Sequence, residues 1–166
     1  SGKLNLKILN NVLLINFIGE EIYEIEDSFY RSKFLNSKIK GNINFKNNFF
    51  FDLNFLVNQI NLKKLISNYN LFFKNKSNNY FEISKKINGA VSLSLKETSS
   101  FIGQISDLNF MLLFENGDLK INNGTANLNN GGLLKFNFFL IGKGKNQKIN
   151  FNLDFNTKNA SKIFRK

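Results

Sequence analysis

Residues 107–140 read DLNFMLLFENGDLKINNGTANLNNGGLLKFNFFL, and this stretch indicates the fold. Its alternating apolar runs are broken at Asn116-Gly117, Asn123-Gly124 and Gly131-Gly132. Side chains alternate across a strand with period two, and Asn-Gly or Gly-Gly pairs supply the positive φ that tight hairpins need. The stretch therefore predicts an antiparallel meander with one apolar face.

The same pattern extends over most of the chain. Apolar residues around Asn10-Asn11 predict a first hairpin, and Ile39–Phe45 is expected to pair with Phe49–Val57. The acidic stretch 20–27 fits neither the helical nor the strand period, and we expect a strand with an exposed, charged edge that blocks further pairing. Lys96–Ser100 is expected to turn the chain.

Two short segments have helical rather than strand patterning. Asn61–Tyr69 places Leu62, Leu65, Ile66 and Tyr69 on one side, and Asn159–Phe164 resembles it. The predicted fold class is mainly β: a curved, largely antiparallel sheet with two short helices. We expect a single domain over residues 3–166, with Ser1-Gly2 as a remnant of tag cleavage.

An imperfect internal repeat is also visible. Ile39–Phe45 and Ile87–Leu93 share the pattern apolar-x-Gly-x-apolar-x-apolar, and each is followed by Asp-Leu-Asn-Phe, at Asp52–Phe55 and Asp107–Phe110. Two units, 36–75 and 80–166, are consistent with this order, although chance similarity competes in so narrow a composition.

Composition restricts the chemistry. The 166 residues contain no His and no Cys, which excludes disulfides, the usual zinc, copper and iron–sulfur ligand sets, and Ser-His-Asp or Cys-His catalysis. Gly142–Lys145 lacks the spacing of a phosphate-binding loop and is interpreted as a turn. We therefore expect a protein that is not an enzyme and has no catalytic residue, metal or cofactor.

The net charge of +11 raises nucleic acids and anionic membranes as partners. The lysines are spread along the chain rather than clustered, so ordinary surface composition is the favoured interpretation and no nucleic acid is expected. No apolar run is long enough to span a membrane.

Four alternating rows form the candidate ligand-contacting surface, because each would place its apolar side chains on one sheet face. The rows comprise Ile87, Val91, Leu93 and Leu95; Leu108, Phe110, Leu112 and Phe114; Leu134, Phe136, Phe138 and Leu140; and Ile149, Phe151, Leu153 and Phe155.

The strand succession resembles the AsmA-like family, which includes AsmA-, TamB- and YhdP-type envelope proteins. The resemblance rests on Ile87–Leu95, Ile105–Phe114, Asn116–Leu119, Gly124–Leu128 and Gly131–Leu134, together with the strand-to-helix exits at Asn61–Ile66 and Asn159–Phe164. It covers most of residues 36–166.

The resemblance implies a non-enzymatic periplasmic protein of a Gram-negative bacterium, anchored in the inner membrane by a segment outside these residues. Its curled sheet would contact or convey phospholipid along an apolar groove during outer-membrane and envelope biogenesis. The alternative is a structural or adhesion-type β-sandwich that binds a glycan or a protein, with the same Phe residues buried between two sheets. Alternation alone does not separate the two architectures.

Overall fold

A computed structural model describes residues 1–46, 49–61, 83–100, 103–128, 131–142 and 146–157. These residues form one open sheet of ten strands whose spatial order is their order in the chain. The strands are β1 (Gly2–Ile8), β2 (Asn11–Ile18), β3 (Ile22–Arg31), β4 (Leu35–Asn44), β5 (Phe50–Ile60), β6 (Asn88–Ser100), β7 (Gly103–Glu115), β8 (Asp118–Leu128), β9 (Gly132–Ile141) and β10 (Lys148–Thr157).

The prediction of a mainly β, largely antiparallel fold is confirmed. Every pair of neighbouring strands is antiparallel except β5 and β6, which run parallel. Residues 61–87 connect this parallel pair. The expected helix at 61–69 falls almost wholly within residues 62–82, and the helix at 159–164 within 158–166, so both lie outside the described residues.

Tight turns join the hairpins where the sequence places turn-forming residues. Leu9 adopts φ 54° between β1 and β2, while Asn116 and Gly117 adopt φ 53° and 92° between β7 and β8. At Asn116-Gly117, positive φ at both central residues matches the twist of the flanking strands. The backbone N–H of Asn116 also donates to Asn88 Oδ1 (2.9 Å), which ties this turn to β6.

Asn123-Gly124 is not a hairpin turn, contrary to the sequence prediction. Both residues lie inside β8, where the register with β9 shifts between Ile121 and Gly124. Asn123 adopts φ 55°, and its N–H donates to Asn137 Oδ1 (2.8 Å) on β9. The dipeptide therefore forms a β-bulge, because the same positive φ that serves a turn can also accommodate an extra residue in a continuing strand.

The acidic segment is a strand, but the expected exposed edge is wrong. β3 pairs with β2 on one side and β4 on the other. A register shift between Ile25 and Ser28 contains Asp27, which adopts φ 44°. The segment fits no single period because Ile22 directly precedes Tyr23 and lies on the opposite side of the sheet, where its apolar side chain is exposed. The turn expected at Lys96–Ser100 is also wrong, since these residues complete β6.

A third bulge surrounds Asp107 on β7, where φ is 48°. Asn109 Nδ2 donates to the Asp107 carbonyl (2.9 Å), and Asn127 Nδ2 donates to Asp107 Oδ2 (3.1 Å). Ile105 and Leu108, on either side of this bulge, pack in one cluster with Ala126 and Leu128. An extra residue is needed because side chains three positions apart in a regular strand would face opposite ways.

The two Asp-Leu-Asn-Phe sequences provide a matched test of this bulge. We expect Asp107→Val to lower the free energy of unfolding by about 1–2 kcal/mol, because a β-branched residue tolerates positive φ poorly. Asp52 is exposed within β5 and has no positive φ, so Asp52→Val should be close to neutral. Urea unfolding of both variants checks this, and equal losses would contradict it.

Candidate functional site

One sheet face carries an unbroken apolar row across all ten strands. Directly paired residues of neighbouring strands lie on the same side of a sheet, so the register traces the row from strand to strand. Its members are Gly2, Phe17, Ile25, Gly41, Leu53, Val91, Leu112, Ile121, Phe138 and Phe151. We call the side that contains this row the apolar face and the other side the polar face.

Fifteen of the sixteen sequence-predicted residues lie on the apolar face. Leu95 pairs with Leu108 and Leu93 with Phe110. Each of the four predicted residues on β9 likewise pairs directly with one of the four on β10. Ile87 is the exception, because β6 begins at Asn88 and the Ile87 N–H donates instead to the Ser84 carbonyl (3.0 Å) in a turn.

Glycines on this face make room for phenylalanine rings. Gly89 pairs with both Phe51 and Phe114, and a Cβ at Gly89 would lie 2.2 Å from the Phe51 carbonyl oxygen and 2.8 Å from Phe51 Cγ. A Cβ at Gly124 would lie 2.5 Å from the Phe136 ring. The rings thus cover glycine backbone that lacks a side chain, and Phe51 and Phe114 approach to 5.5 Å across the intervening strand.

A chain of aromatic rings follows one end of the apolar face from β2 to β7. Successive ring centroids are 5.2–5.7 Å apart, within the range in which edge-to-face and tilted pairs are favourable. The rings belong to Phe17, Tyr23, Phe45, Phe49, Phe51 and Phe114. A separate pair, Phe110 and Phe136, packs at 6.0 Å.

An apolar pocket of about 640 Å³ lies on this face at the β1–β4 side, and sequence reasoning missed it. None of the sixteen predicted residues lines it. Its wall consists of Leu4, Ile15, Phe17, Tyr23, Ile25, Ile43 and Phe45, with Glu20, Glu21 and Lys46 also lining it. The alternation of Ile43 with Phe45 was a usable signal, but on β3 the exposed Ile22 on the polar face obscured the alternation of Tyr23 with Ile25.

Two turns meet beside this pocket. Lys46 Nζ forms an ion pair with Glu21 Oε2, and the Phe45 N–H donates to the Glu21 carbonyl (3.4 Å). Both charged side chains are more than half exposed, so the ion pair contributes at most about 1 kcal/mol. Its main consequence is geometric, since it holds the β2–β3 turn near the residues that follow β4.

Exposure of the apolar face differs strongly between its centre and its margins. Val57 and Leu95 are each 2% exposed, and Ala126 is 1% exposed. On β10, in contrast, Ile149 is 66% and Phe151 57% exposed. The outer strands therefore present apolar side chains that the described part of the chain leaves open to solvent.

Two buried serines on adjacent strands differ in their hydrogen bonding. Ser28 Oγ accepts the Asn16 backbone N–H (2.8 Å), and the hydroxyl donates to the Glu26 carbonyl (2.9 Å). Ser37, which is fully buried next to Val57 in the register, has no hydrogen-bond partner for its Oγ among the residues that the structure describes. Ser28 therefore supports the β3 bulge, whereas the Ser37 hydroxyl is buried at a net cost.

Comparison of the chain with protein-family models, with curated proteins and with solved structures finds no match. Within the described ranges, no helix is long and apolar enough to cross a membrane. The same residues hold no cluster of acidic, His or Cys side chains that could bind a metal ion.

The glycine–phenylalanine packing can be tested with a double-mutant cycle. Gly124→Ala should lower the free energy of unfolding by about 1–3 kcal/mol, because the added methyl group overlaps the Phe136 ring. Phe136→Leu should recover part of this loss when both changes are combined, since a shorter side chain vacates the space. Additive losses in denaturant unfolding would show that the two sites do not interact.

The two serines predict changes of opposite sign. We expect Ser37→Ala to raise the free energy of unfolding by about 1 kcal/mol, because an unpartnered buried hydroxyl is removed. Ser28→Ala should lower it by about 1–2 kcal/mol, because the Asn16 N–H loses its acceptor. Thermal and urea unfolding of the pair measure both values, and a destabilised Ser37→Ala protein would refute this explanation.

Proposed function

We propose that this chain is a non-enzymatic, AsmA-like envelope domain whose apolar face contacts the acyl chains of phospholipid. The observation that carries the proposal is the unbroken apolar row across ten strands, with exposed margins and an apolar pocket on the same face. Such a surface removes hydrocarbon from water without covalent chemistry, which requires no catalytic residue.

The dimensions of the face suit an acyl chain. Ten strands at a spacing of about 4.8 Å give a row of about 43 Å. One leaflet of a bilayer's hydrocarbon core is about 15 Å thick, so an acyl chain occupies only part of such a row. A lipid could therefore lie across several strands, and its chain could shift along the row without leaving apolar surroundings.

The apolar pocket is the proposed site of tightest contact. Its volume of about 640 Å³ falls within the usual range of small-molecule sites, and Phe17, Tyr23 and Phe45 supply aromatic walls. The charged side chains of Glu20, Glu21 and Lys46 lie at the same pocket. This arrangement suits an amphiphile whose tail enters the pocket and whose polar end remains near solvent.

The proposed setting follows the family resemblance. The domain would act in the periplasm of a Gram-negative bacterium, attached to the inner membrane through a segment outside these 166 residues. Its role would be to contact or convey phospholipid during assembly of the outer membrane.

The alternative β-sandwich requires two sheets packed face to face. The ten described strands instead form one sheet, and their extensive contacts are made between sheet neighbours. Exposed Ile149 and Phe151 also differ from the fully buried positions that the sandwich predicts. These observations favour the acyl-contacting face over a face closed by a second sheet.

Substitution of two exposed phenylalanines distinguishes specific binding in the apolar pocket from general surface hydrophobicity. Phe45 is 58% exposed and lines the apolar pocket, whereas Phe50 is 48% exposed on the polar face, opposite Asn44. Phe45→Ser should weaken binding of dansyl-labelled undecanoic acid by about tenfold, because burial of a phenyl ring is worth about 1.5–3 kcal/mol. Phe50→Ser should change binding by less than about twofold.

Fluorescence titration gives the affinities, and thermal unfolding verifies that both variants remain folded. Native mass spectrometry of the wild-type protein should additionally detect co-purified lipid. Absence of saturable fatty-acid binding, or an equal loss in both variants, would refute the proposed function.

A further inference from the structure

The polar face contains a second pocket, on the opposite side of the sheet from the acyl-contacting surface. Its volume is about 600 Å³, and it spans β3 to β6. The lining includes three cationic side chains, Arg31, Lys38 and Lys40, and one carboxylate, Asp27. We call this the basic pocket.

Strand register places the cations close together. Lys38 and Lys40 are two residues apart on β4, so both project from the polar face at a spacing of about 7 Å along the strand. Arg31 pairs with Asn36 on the same side, and its guanidinium lies 5.3 Å from the centre of the Phe29 ring. This cation–π contact restrains the guanidinium at the margin of the pocket.

The three cations have no ion-pair partner among the described residues. Lys120, elsewhere on the polar face, differs: its Nζ lies 2.6 Å from Glu115 Oε2, and this hydrogen bond raises the pKa of the lysine. Unpaired positive charge is thus concentrated in a concave site, where a bound anion contacts several cations at once.

Neutral polar groups complete the basic pocket. Asn54 pairs with Lys40 on one side and with Ser92 on the other, and Leu56 lies between Lys38 and Ser94. Asn and Ser side chains can both donate and accept hydrogen bonds, which suits hydroxyl groups. The Asp27 carboxylate accepts only, so it favours a ligand that carries hydroxyls in addition to its negative charge.

We propose that the basic pocket binds a small phosphorylated polyol, with the phosphate at Arg31, Lys38 and Lys40 and the hydroxyls at Asn54, Ser92 and Asp27. The volume suits a small molecule and not an extended polymer. Because the site lies on the face opposite the apolar pocket, a free phosphorylated solute or the headgroup of a lipid that approaches this side can occupy it independently of the acyl site.

The test compares two charge-matched double variants. Lys38→Gln/Lys40→Gln removes two cations from the basic pocket, and Lys135→Gln/Lys148→Gln removes two from the polar face of β9 and β10. We expect the first variant to weaken binding of glycerol 3-phosphate by about tenfold or more, and the second by less than about twofold. Calorimetric titration gives the affinities, and glycerol without phosphate serves as the ligand control.

Vesicle flotation distinguishes the two sources of the phosphate. If Lys38→Gln/Lys40→Gln alone loses flotation with phosphatidylglycerol vesicles, the ligand is a lipid headgroup. If it loses only glycerol 3-phosphate binding, the ligand is a free solute; both results support the pocket. Equal losses in the two variants, no saturable binding of glycerol 3-phosphate, or binding of a single-stranded oligonucleotide alone would overturn the proposal.

Phe45→Ser distinguishes ligand binding in the basic pocket from the acyl-contacting function. This variant should retain glycerol 3-phosphate binding, because Phe45 lies at the other pocket. Lys38→Gln/Lys40→Gln should in turn retain fatty-acid binding. Failure of one proposal is therefore distinguishable from failure of the other.

Discussion

The register between neighbouring strands is the constraint on which both faces depend. A shift of one residue in any pair would move a whole set of apolar side chains to the polar face. Bulges at Asp27, Asp107 and Asn123 preserve this register, because each lets apolar or small residues three positions apart lie on the same side. Asp and Asn suit these sites because their short polar side chains tolerate positive φ better than most other residues do.

Glycine and phenylalanine together determine how side chains pack on the apolar face. A glycine in a strand weakens it, but a ring placed over the bare backbone restores buried area. At Gly89 and Gly124 this packing also lets phenyl rings on non-adjacent strands approach one another. The aromatic chain from Phe17 to Phe114 therefore depends on where side chains are missing as much as on where rings are present.

The two proposed sites lie on opposite faces and would use different kinds of recognition. The apolar face has area and aromatic surface, which suit non-directional binding, whereas the basic pocket has charge and hydrogen-bonding groups, which suit orientation of a ligand. Alternation along each strand produces an apolar face and a polar face together, because consecutive residues such as Ile39 and Lys40 project to opposite sides. An open sheet of this kind can therefore carry an apolar and a polar site without a second domain.

The sequence by itself determined most of the strands, most hairpins and the common face of fifteen predicted residues, because period-two alternation is a local property. It did not distinguish the turn at Asn116-Gly117 from the bulge at Asn123-Gly124, since both require positive φ and only pairing with β9 separates them. The parallel β5–β6 pair, the apolar pocket and the basic pocket were decided by tertiary structure. Each depends on which strands become neighbours, and residues such as Phe17 and Phe45 meet only after distant segments have paired.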